Sequence, residues 1–294
     1  MLMRQALVSV ALGSWTALAA VLLVAALAAG QETQPPGQPQ PTADNSPAAE
    51  QPAAKVTPVP AEVRELYGLD PFYEKYVSYQ GYAILGSAKV PDEALLEARH
   101  LIGQVLAGRD DITAALVARK CRFTVMAPDE MTTDVPEQRN MQPKDYWDRR
   151  ARGLGGRITS CGAENLLNLR GDRYRRENIL IHEFAHCIHE QGLRRVDETF
   201  DRRLRETYQK AMDAGLWAKT YAAENHKEYW AEGVQIYFDC QAPAGGVHND
   251  IDRREKLEKY DPDLFRLIDE VFRQSKFRYV RYDQRHPADA KPAE

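Results

Sequence analysis

The chain has 294 residues, of which 28% are charged, and a formal net charge of −4. This balance argues against a nucleic-acid partner, because proteins that bind nucleic acids usually carry a clear excess of Lys and Arg. The length is sufficient for one domain with a substantial hydrophobic core.

The N-terminal residues 1–30 have the features of an export signal. Arg4 provides a positive charge, an apolar run covers residues 17–29, and small residues precede Gln31. A retained membrane anchor is the alternative, because the low-polarity stretch that starts at Ala6 is long enough to cross a bilayer. We therefore predict a secreted or extracytoplasmic protein, in the periplasm or cell envelope, that contacts the membrane only if this segment stays attached.

Residues 31–60 are rich in Pro, Gln and Ala and contain few large apolar side chains. Such a segment cannot bury enough surface to offset the entropy lost on ordering, so we predict a disordered, Pro-rich linker. Residues 283–294 have a similar composition and are predicted to be a disordered tail. The globular domain is therefore predicted to span residues 61–282.

Hydrophobic periodicity predicts the secondary structure of the first half of this domain. Apolar residues at helical spacing indicate helices in residues 91–108 and 110–120, and an apolar, β-rich run indicates a strand in residues 121–128. A short helix that stops at its glycines is predicted in residues 145–156, and a second strand in residues 156–162.

Four helices are predicted in the second half of the domain. The first is capped by Asp172 and ended by Gly192, and the others lie in residues 196–215, 225–240 and 261–274. Helices outnumber strands, so the expected fold class is α+β, helix-rich with a small mixed sheet.

Arginines are concentrated just ahead of the first of these four helices. They are Arg149, Arg150, Arg152, Arg157, Arg170, Arg173, Arg175 and Arg176. Two interpretations are open: a solvated surface that is partly paired with acids, and a surface that favours acidic partners.

The chain contains four cysteines, and an exported protein meets an oxidising compartment. They are Cys121, Cys161, Cys187 and Cys240. Their spacing is too wide for a zinc knuckle. One or two disulfides are therefore allowed, and the three full pairings stay open.

The sequence HEFAH places two histidines, His182 and His186, four positions apart on a predicted helix. On a helical wheel these histidines share one side, while Leu180 and Phe184 lie on the opposite, apolar side. Histidines at this spacing can bind one zinc ion, with Glu183 beside the attacking water as general base. The motif therefore predicts a zinc site, against the alternative of a surface helix whose histidines have no function.

Two further histidines follow this motif in the sequence. His189 lies about one turn beyond the pair, roughly 5 Å too far along a rigid helix to share their metal ion. We predict that it is a surface residue or supports the ligands from behind. His248 lies in the glycine-containing stretch 245–250 and is predicted to be a turn residue, with a position that lines the cleft as the alternative.

A catalytic zinc usually has a third protein ligand, often a carboxylate, and one open position. The helix predicted in residues 225–240 is the place to look, because one of its faces collects polar side chains. This face carries Glu224, Glu228, Glu232 and Gln235. Two interpretations stay open: the face supplies the third ligand, or it is a solvated stripe in which Asn225 and Glu228 form a capping box.

Two motifs together resemble the catalytic domain of anthrax lethal factor and its relatives, which are gluzincin-type zinc endopeptidases. The matching stretches are HEFAH and YAAENHKEYWAE, which occupies residues 221–232. Many zincins share the first motif, whereas the second is much more specific. The resemblance covers at most about half of the chain and implies a zincin-like fold.

The resemblance also implies a role for residues of the second motif. Glu228 corresponds to the third zinc ligand, and Tyr221 corresponds to the tyrosine that stabilises the oxyanion. Glu232 corresponds to a second glutamate that orients a ligand histidine. Asn225 matches the asparagine of the family, and its role stays open.

These observations together predict an exported zinc metalloendopeptidase, a hydrolase that acts as a monomer on a peptide or protein substrate. In zincins the substrate usually lies extended along an edge strand beside the motif helix, and residues 156–161 are the predicted edge. The alternative is a catalytically silent zinc-binding module of the cell envelope, used in adhesion or binding. A third interpretation is a domain without any metal.

Overall fold

The computed structural model describes residues 54–287. The predicted export signal, residues 31–53 of the predicted linker and residues 288–294 of the predicted tail lie outside the described residues. Within the described part, helices dominate and the strands form one mixed sheet, so the predicted α+β class is confirmed. None of the helices between residues 54 and 287 is both long and apolar enough to cross a membrane.

The sheet of the described residues has six strands. They are β1 (Thr57–Pro58), β2 (Lys75–Tyr79), β3 (Tyr82–Gly86), β4 (Arg122–Met126), β5 (Gly153–Leu154) and β6 (Ile158–Gly162). Their order in the sheet is β1-β2-β3-β4-β6-β5. The central strand β4 runs parallel to β3 and β6, and the other neighbouring strands are antiparallel.

Each of the seven predicted helical ranges contains a helix, but the one predicted in residues 145–156 ends at Arg150, and Gly153 and Leu154 form β5 instead. The helical segments of the described residues are α1 (Ala61–Tyr67), α2 (Asp92–Val105), α3 (Asp110–Ala118), α4 (Lys144–Arg150), α5 (Ala163–Leu166), α6 (Ile179–Cys187), α7 (Arg194–Val196), α8 (Phe200–Asp213), α9 (His226–Tyr237), α10 (Arg254–Tyr260), α11 (Pro262–Phe272) and α12 (Tyr282–Arg285). The two predicted strands correspond to β4 and β6, whereas β2 and β3 were not predicted.

Short regular elements lie at both predicted domain boundaries. Thr57 and Pro58, which the composition assigned to the linker, pair with β2. The helix Tyr282–Arg285 includes the first residues of the predicted tail. The composition of a segment indicates how much apolar surface the segment can bury by itself. It does not indicate whether the segment pairs with a neighbouring strand.

The helix that carries HEFAH begins later than predicted. Its N-cap is Asn178, whose Oδ1 accepts a hydrogen bond from the N–H of Ile181 at 3.0 Å. Asp172 lies in the preceding turn, where it is buried and accepts a hydrogen bond from Nδ2 of Asn165 at 3.0 Å. The predicted cap at Asp172 is therefore wrong, because this carboxylate holds the turn and not the helix.

The same helix does not end at Gly192. It continues through the π-helical segment Ile188–Leu193 into α7. Gly192 is buried against α3, where a Cβ atom would come within 2.8 Å of Cγ2 of Ile112. The missing side chain allows two helices to approach each other, and it does not form the left-handed cap that the prediction assumed.

Helix α9 packs against α6 and brings the second motif to the first. The fully buried Trp230 donates from Nε1 to the carbonyl oxygen of Ala185 at 2.9 Å. Asn225 caps α9, and its Oδ1 accepts from the N–H groups of Lys227 at 2.9 Å and Glu228 at 3.1 Å. Only the Asn225 half of the proposed capping box is present among the described residues, because the carboxylate of Glu228, in the first turn of α9, contacts His182 and His186.

Strand β5 is the edge of the sheet beside α6. Strand β6 lies between β4 and β5, so the prediction that residues 156–161 form the edge is wrong. Two glycines allow the close approach of this edge to the helix. A Cβ atom on Gly153 would lie 2.4 Å from Cγ2 of Ile179, and one on Gly155 would lie 2.7 Å from Cβ of His186.

The four cysteines are buried free thiols in the structure. The disulfides that the sequence allowed are therefore not formed. Burial raises the pKa of Cys161 and Cys240 well above the ordinary value, so both thiols stay protonated at neutral pH.

His189 is fully buried, so its predicted surface position is wrong. Its Nε2 lies 3.0 Å from Oδ1 of Asp201, and its ring packs against Phe200 and Trp230. Its Nδ1 is buried and has no hydrogen-bond partner among residues 54–287. Burial lowers the pKa of His189 to about 4, so the side chain is neutral at pH 7.

We predict that His189 makes stability depend on pH between 6.5 and 4. Its pKa is about 4 in the folded state, against about 6.5 in the unfolded chain. The unfolded state therefore takes up the proton first, and about 3 kcal/mol of stability is lost as the pH falls through this window. Denaturant unfolding at pH 7 and pH 4.5 should show a smaller difference in His189→Gln than in the original chain. Equal differences in the two proteins would contradict the prediction.

Candidate metal centre

Three ligand atoms from α6 and α9 converge at one point. Nε2 of His182 and Nε2 of His186 are 3.3 Å apart. Oε2 of Glu228 lies 3.2 Å from the first nitrogen and 3.3 Å from the second. Among the described residues, these three are the one group of His, Cys, Asp and Glu side chains arranged to hold a metal ion.

Gln235 fixes the orientation of the His182 ring. Its Nε2 donates to the carbonyl oxygen of Asn178 at 3.1 Å, so its Oε1 faces Nδ1 of His182, at 2.8 Å. Because an amide oxygen only accepts, Nδ1 carries the hydrogen and Nε2 keeps the free lone pair. Metal-binding histidines are commonly held in this way. The sequence placed Gln235 on the polar face of α9 but gave no signal for this contact.

The converging atoms are all acceptors, and together they require a cation. Burial would lower the pKa of His182, but the hydrogen bond to Glu228 and the charges of Glu183 and Glu232 outweigh it and raise the pKa to about 10. Burial would likewise raise the pKa of Glu228, but its hydrogen bonds to His182 and His186 outweigh burial and lower it far below the ordinary range. The site therefore attracts a proton or a metal ion strongly.

The donor set fits zinc. Two imidazoles and one carboxylate with an open position form the usual ligand set of a catalytic zinc, whereas calcium and magnesium prefer oxygen ligands alone. Tetrahedral ligands at about 2.1 Å from zinc stand about 3.4 Å apart. The separations of 3.2 and 3.3 Å between the three donor atoms match this spacing closely.

Glu183 lies between this group and the edge strand. Its carboxylate accepts a hydrogen bond from the backbone N–H of Gly155, just after β5. Burial raises the pKa of Glu183 above its ordinary value, and the neighbouring His182 and His186 oppose the rise. A carboxylate whose pKa is raised toward neutrality is suited to accept and return a proton.

Tyr221 lies beside the group, in the turn before α9. Its ring stacks on that of His182, with centroids 6.1 Å apart and an interplanar angle of 27°. Its backbone N–H donates to the carbonyl oxygen of Val247 at 2.9 Å. Burial raises the pKa of Tyr221 to about 12, with the charge of Glu228 adding to the rise and Arg150 opposing it. The phenol therefore keeps its proton at neutral pH and can donate a hydrogen bond.

Glu232 is buried next to the group but is not the nearest partner of His182. Its Oε1 lies 3.5 Å from Nδ1 of His182, compared with 2.8 Å for Oε1 of Gln235. Its Oε2 accepts from Nε2 of Gln241 at 2.5 Å and lies 3.0 Å from Nδ1 of His248. The position matches the prediction, while the shortest contact to the ligand histidine belongs to Gln235.

The turn position predicted for His248 is confirmed, while the alternative that it lines the cleft stays a prediction. It is a turn residue, because it exchanges two backbone hydrogen bonds of 3.1 Å with Gly245. Its side chain also reaches the site through Glu232, and its Nε2 lies 4.0 Å from Oε2 of Glu177. His248 and Glu177 thus belong to the polar network behind His182, and no motif marked this role for Glu177.

The structure brings together every residue that the sequence singled out for the site. They are His182, Glu183, His186, Tyr221, Glu228 and Glu232. Glu224 is exposed, so the solvated-stripe interpretation holds for that residue, whereas Glu228 and Glu232 face the site.

No family model matches the chain, and no curated protein matches it. Among solved structures, the chain is similar to the Pro-Pro endopeptidase PPEP-2 from Paenibacillus alvei, with a TM-score of 0.46 and 16% sequence identity. The match covers 64% of this chain and 97% of that chain. A likeness at this level shows neither the family nor the activity of this chain, and it does not test the resemblance to lethal factor.

We predict that Gln235 strengthens zinc binding through His182. Gln235→Leu removes the acceptor for Nδ1 and should weaken zinc binding by about 10- to 100-fold. Gln235→Glu keeps an acceptor at the same place and should retain tight binding. A competition titration against a chromophoric chelator measures both dissociation constants. Equal losses in the two variants would show that Gln235 acts on packing and not on the imidazole.

Proposed function

We propose that this chain is a zinc metalloendopeptidase of gluzincin type. The observation that carries the proposal is the convergence of His182, His186 and Glu228, whose donor atoms lie 3.2 to 3.3 Å apart. Glu183 and Tyr221 both lie beside this group, the first as a proton acceptor and the second as a hydrogen-bond donor. A site that only stores zinc does not require either of these two groups.

In the proposed peptide hydrolysis each residue of the site has a separate role. His182, His186 and Glu228 would hold a zinc ion, which when bound would supply Lewis acidity to polarise the scissile carbonyl and to lower the pKa of water. Glu183 accepts the proton of the attacking water and then delivers it to the leaving amine. The phenolic O–H of Tyr221 donates a hydrogen bond to the oxyanion of the tetrahedral intermediate.

Strand β5 is the proposed binding edge for the substrate. An extended peptide can add to an exposed sheet edge through backbone hydrogen bonds. In the described residues β5 ends the sheet, and Gly153 and Gly155 bring it close to Ile179 and His186 of α6. A peptide that pairs with β5 therefore passes beside Glu183.

We further propose that the enzyme acts outside the cytoplasm as a monomer on peptide or protein substrates. The support is the export-signal pattern of residues 1–30 and the proline-rich segment that follows it. Whether residues 1–30 are removed or retained as an anchor decides between a released and a tethered enzyme.

Zinc-dependent cleavage of a peptide library tests the proposal. Residues 31–294 are incubated with a randomised peptide library after loading with zinc, after chelation, and after zinc is added back, and new peptide ends are counted by mass spectrometry. We expect cleavage with zinc, none after chelation, and recovery on reloading. Bound zinc without cleavage of any peptide would favour the silent zinc-binding module of the cell envelope.

A further inference from the structure

Five exposed arginines lie on two neighbouring segments, the end of α4 and the loop before α6. This set, named here the arginine wall, consists of Arg149, Arg150, Arg173, Arg175 and Arg176. Between the described residues, no ion pair within 4.0 Å joins a wall arginine to a carboxylate. By contrast, the buried Arg152 of the same stretch pairs with Glu164 at 2.5 Å. The wall therefore carries uncompensated positive charge on a chain whose net charge is −4.

Hydrogen bonds join the two segments of the wall. The hydroxyl of Tyr174 donates to the carbonyl oxygen of Arg150 at 2.6 Å. The guanidinium of Arg173 donates to the carbonyl oxygens of Arg149 and Asp148. These contacts use backbone carbonyls, so they hold the segments together without neutralising any of the positive charges.

The wall adjoins the metal centre. The guanidinium of Arg150 contacts the hydroxyl of Tyr221. The second segment of the wall leads into Glu177, whose Oε2 lies 4.0 Å from Nε2 of His248. Strand β5 begins shortly after the first segment, at Gly153. A peptide that lies along β5 and reaches Tyr221 therefore passes the wall.

We propose that the arginine wall makes this site select peptide segments that carry Asp or Glu close to the scissile bond. The inference rests on the proposed function, because it assigns the occupant of the same cleft. Guanidinium groups form charge-assisted, bidentate hydrogen bonds with carboxylates. Because the exposed Arg150 lies beside Tyr221, next to the proposed metal ligands, the matching partner is an acidic peptide segment that reaches this group and not an anionic membrane.

The size of the effect follows from the exposure of the wall. Each exposed pair of opposite charges changes affinity by a factor of about 1.5 to 5. A segment with two acidic residues should therefore bind about tenfold tighter than its amide counterpart at low salt. The difference should shrink in 0.5 M salt, because dissolved ions screen exposed charges.

A binding selection tests the inference without requiring hydrolysis. The zinc-loaded variant Glu183→Gln is immobilised, a randomised dodecapeptide library is passed over it, and the retained peptides are sequenced. A second protein, the wall variant, carries Arg149→Gln, Arg175→Gln and Arg176→Gln in addition to Glu183→Gln. The matched control adds Arg194→Gln, Arg195→Gln and Arg273→Gln, which remove three other exposed arginines that form no ion pair among the described residues. Vesicles of phosphatidylglycerol are tested in parallel for binding.

We expect the peptides retained by Glu183→Gln to be enriched in Asp and Glu. The wall variant should show no such enrichment, and the matched control should show the same enrichment as Glu183→Gln. No enrichment, or equal enrichment in the wall variant, would overturn the inference. Binding of vesicles that depends on the wall, without any preference among peptides, would also overturn it. Library cleavage by the unmodified chain is scored separately, so a failure of the proposed function is distinguished from a failure of this inference.

Discussion

Glu183→Gln is expected to abolish peptide hydrolysis while zinc stays bound. The carboxylate of Glu183 lies beside the three ligands, accepts the N–H of Gly155 and has a pKa raised by burial. Glutamine keeps an acceptor for that N–H, so the local fold should persist, but it cannot take up a proton. Loss of a general base of this kind lowers kcat by about 10³-fold or more.

The measurement compares initial rates of peptide cleavage and zinc content in the same preparations. Glu224→Gln is the matched control, because it makes the same change at an exposed glutamate close to α9. The control should keep the rate of the original chain. Cleavage by Glu183→Gln at the rate of the original chain would remove Glu183 from the mechanism.

Tyr221→Phe should lower kcat by about 10²- to 10³-fold, as removal of an oxyanion donor does in other hydrolases. The phenyl ring can keep its stacking on His182, so zinc content and stability should change little. The value of KM should change much less than kcat, because the hydroxyl contacts the oxyanion that forms only in the transition state.

Tyr208→Phe serves as the control for Tyr221→Phe. Its hydroxyl donates to the carbonyl oxygen of Ala223 at 2.7 Å, so the substitution removes a hydrogen bond from the same turn without touching the ligands. An equal loss of kcat in both variants would mean that the turn, and not the phenol of Tyr221, limits the reaction.

The parts of the site that could be predicted lie on long, regularly patterned helices. In α6 the apolar face and the four-residue spacing of His182 and His186 place both imidazoles on one side, and the structure agrees. In α9 the pattern left the role of Glu228 open, and the resemblance to the second motif selected it. The structure supports that selection, since Glu228 contacts both histidines.

The parts that could not be predicted depend on distances between side chains or on very short elements. Gln235 and Glu232 both face His182 from α9, and only their distances of 2.8 and 3.5 Å show which is nearer. Strand β5 has two residues, too few for any alternating pattern, although it forms the edge beside α6. His189 follows the motif histidines in the sequence, yet it packs beside Trp230 in the core.

The central claim is that His182, His186 and Glu228 hold one zinc ion, and its most direct test is the metal content of the purified chain. Residues 31–294 are purified without chelator and analysed for metals beside His186→Ala. About one zinc per chain, lost in His186→Ala, is the predicted result. No zinc after reloading, or equal zinc in both proteins, would contradict the claim and leave the converging side chains without a catalytic role.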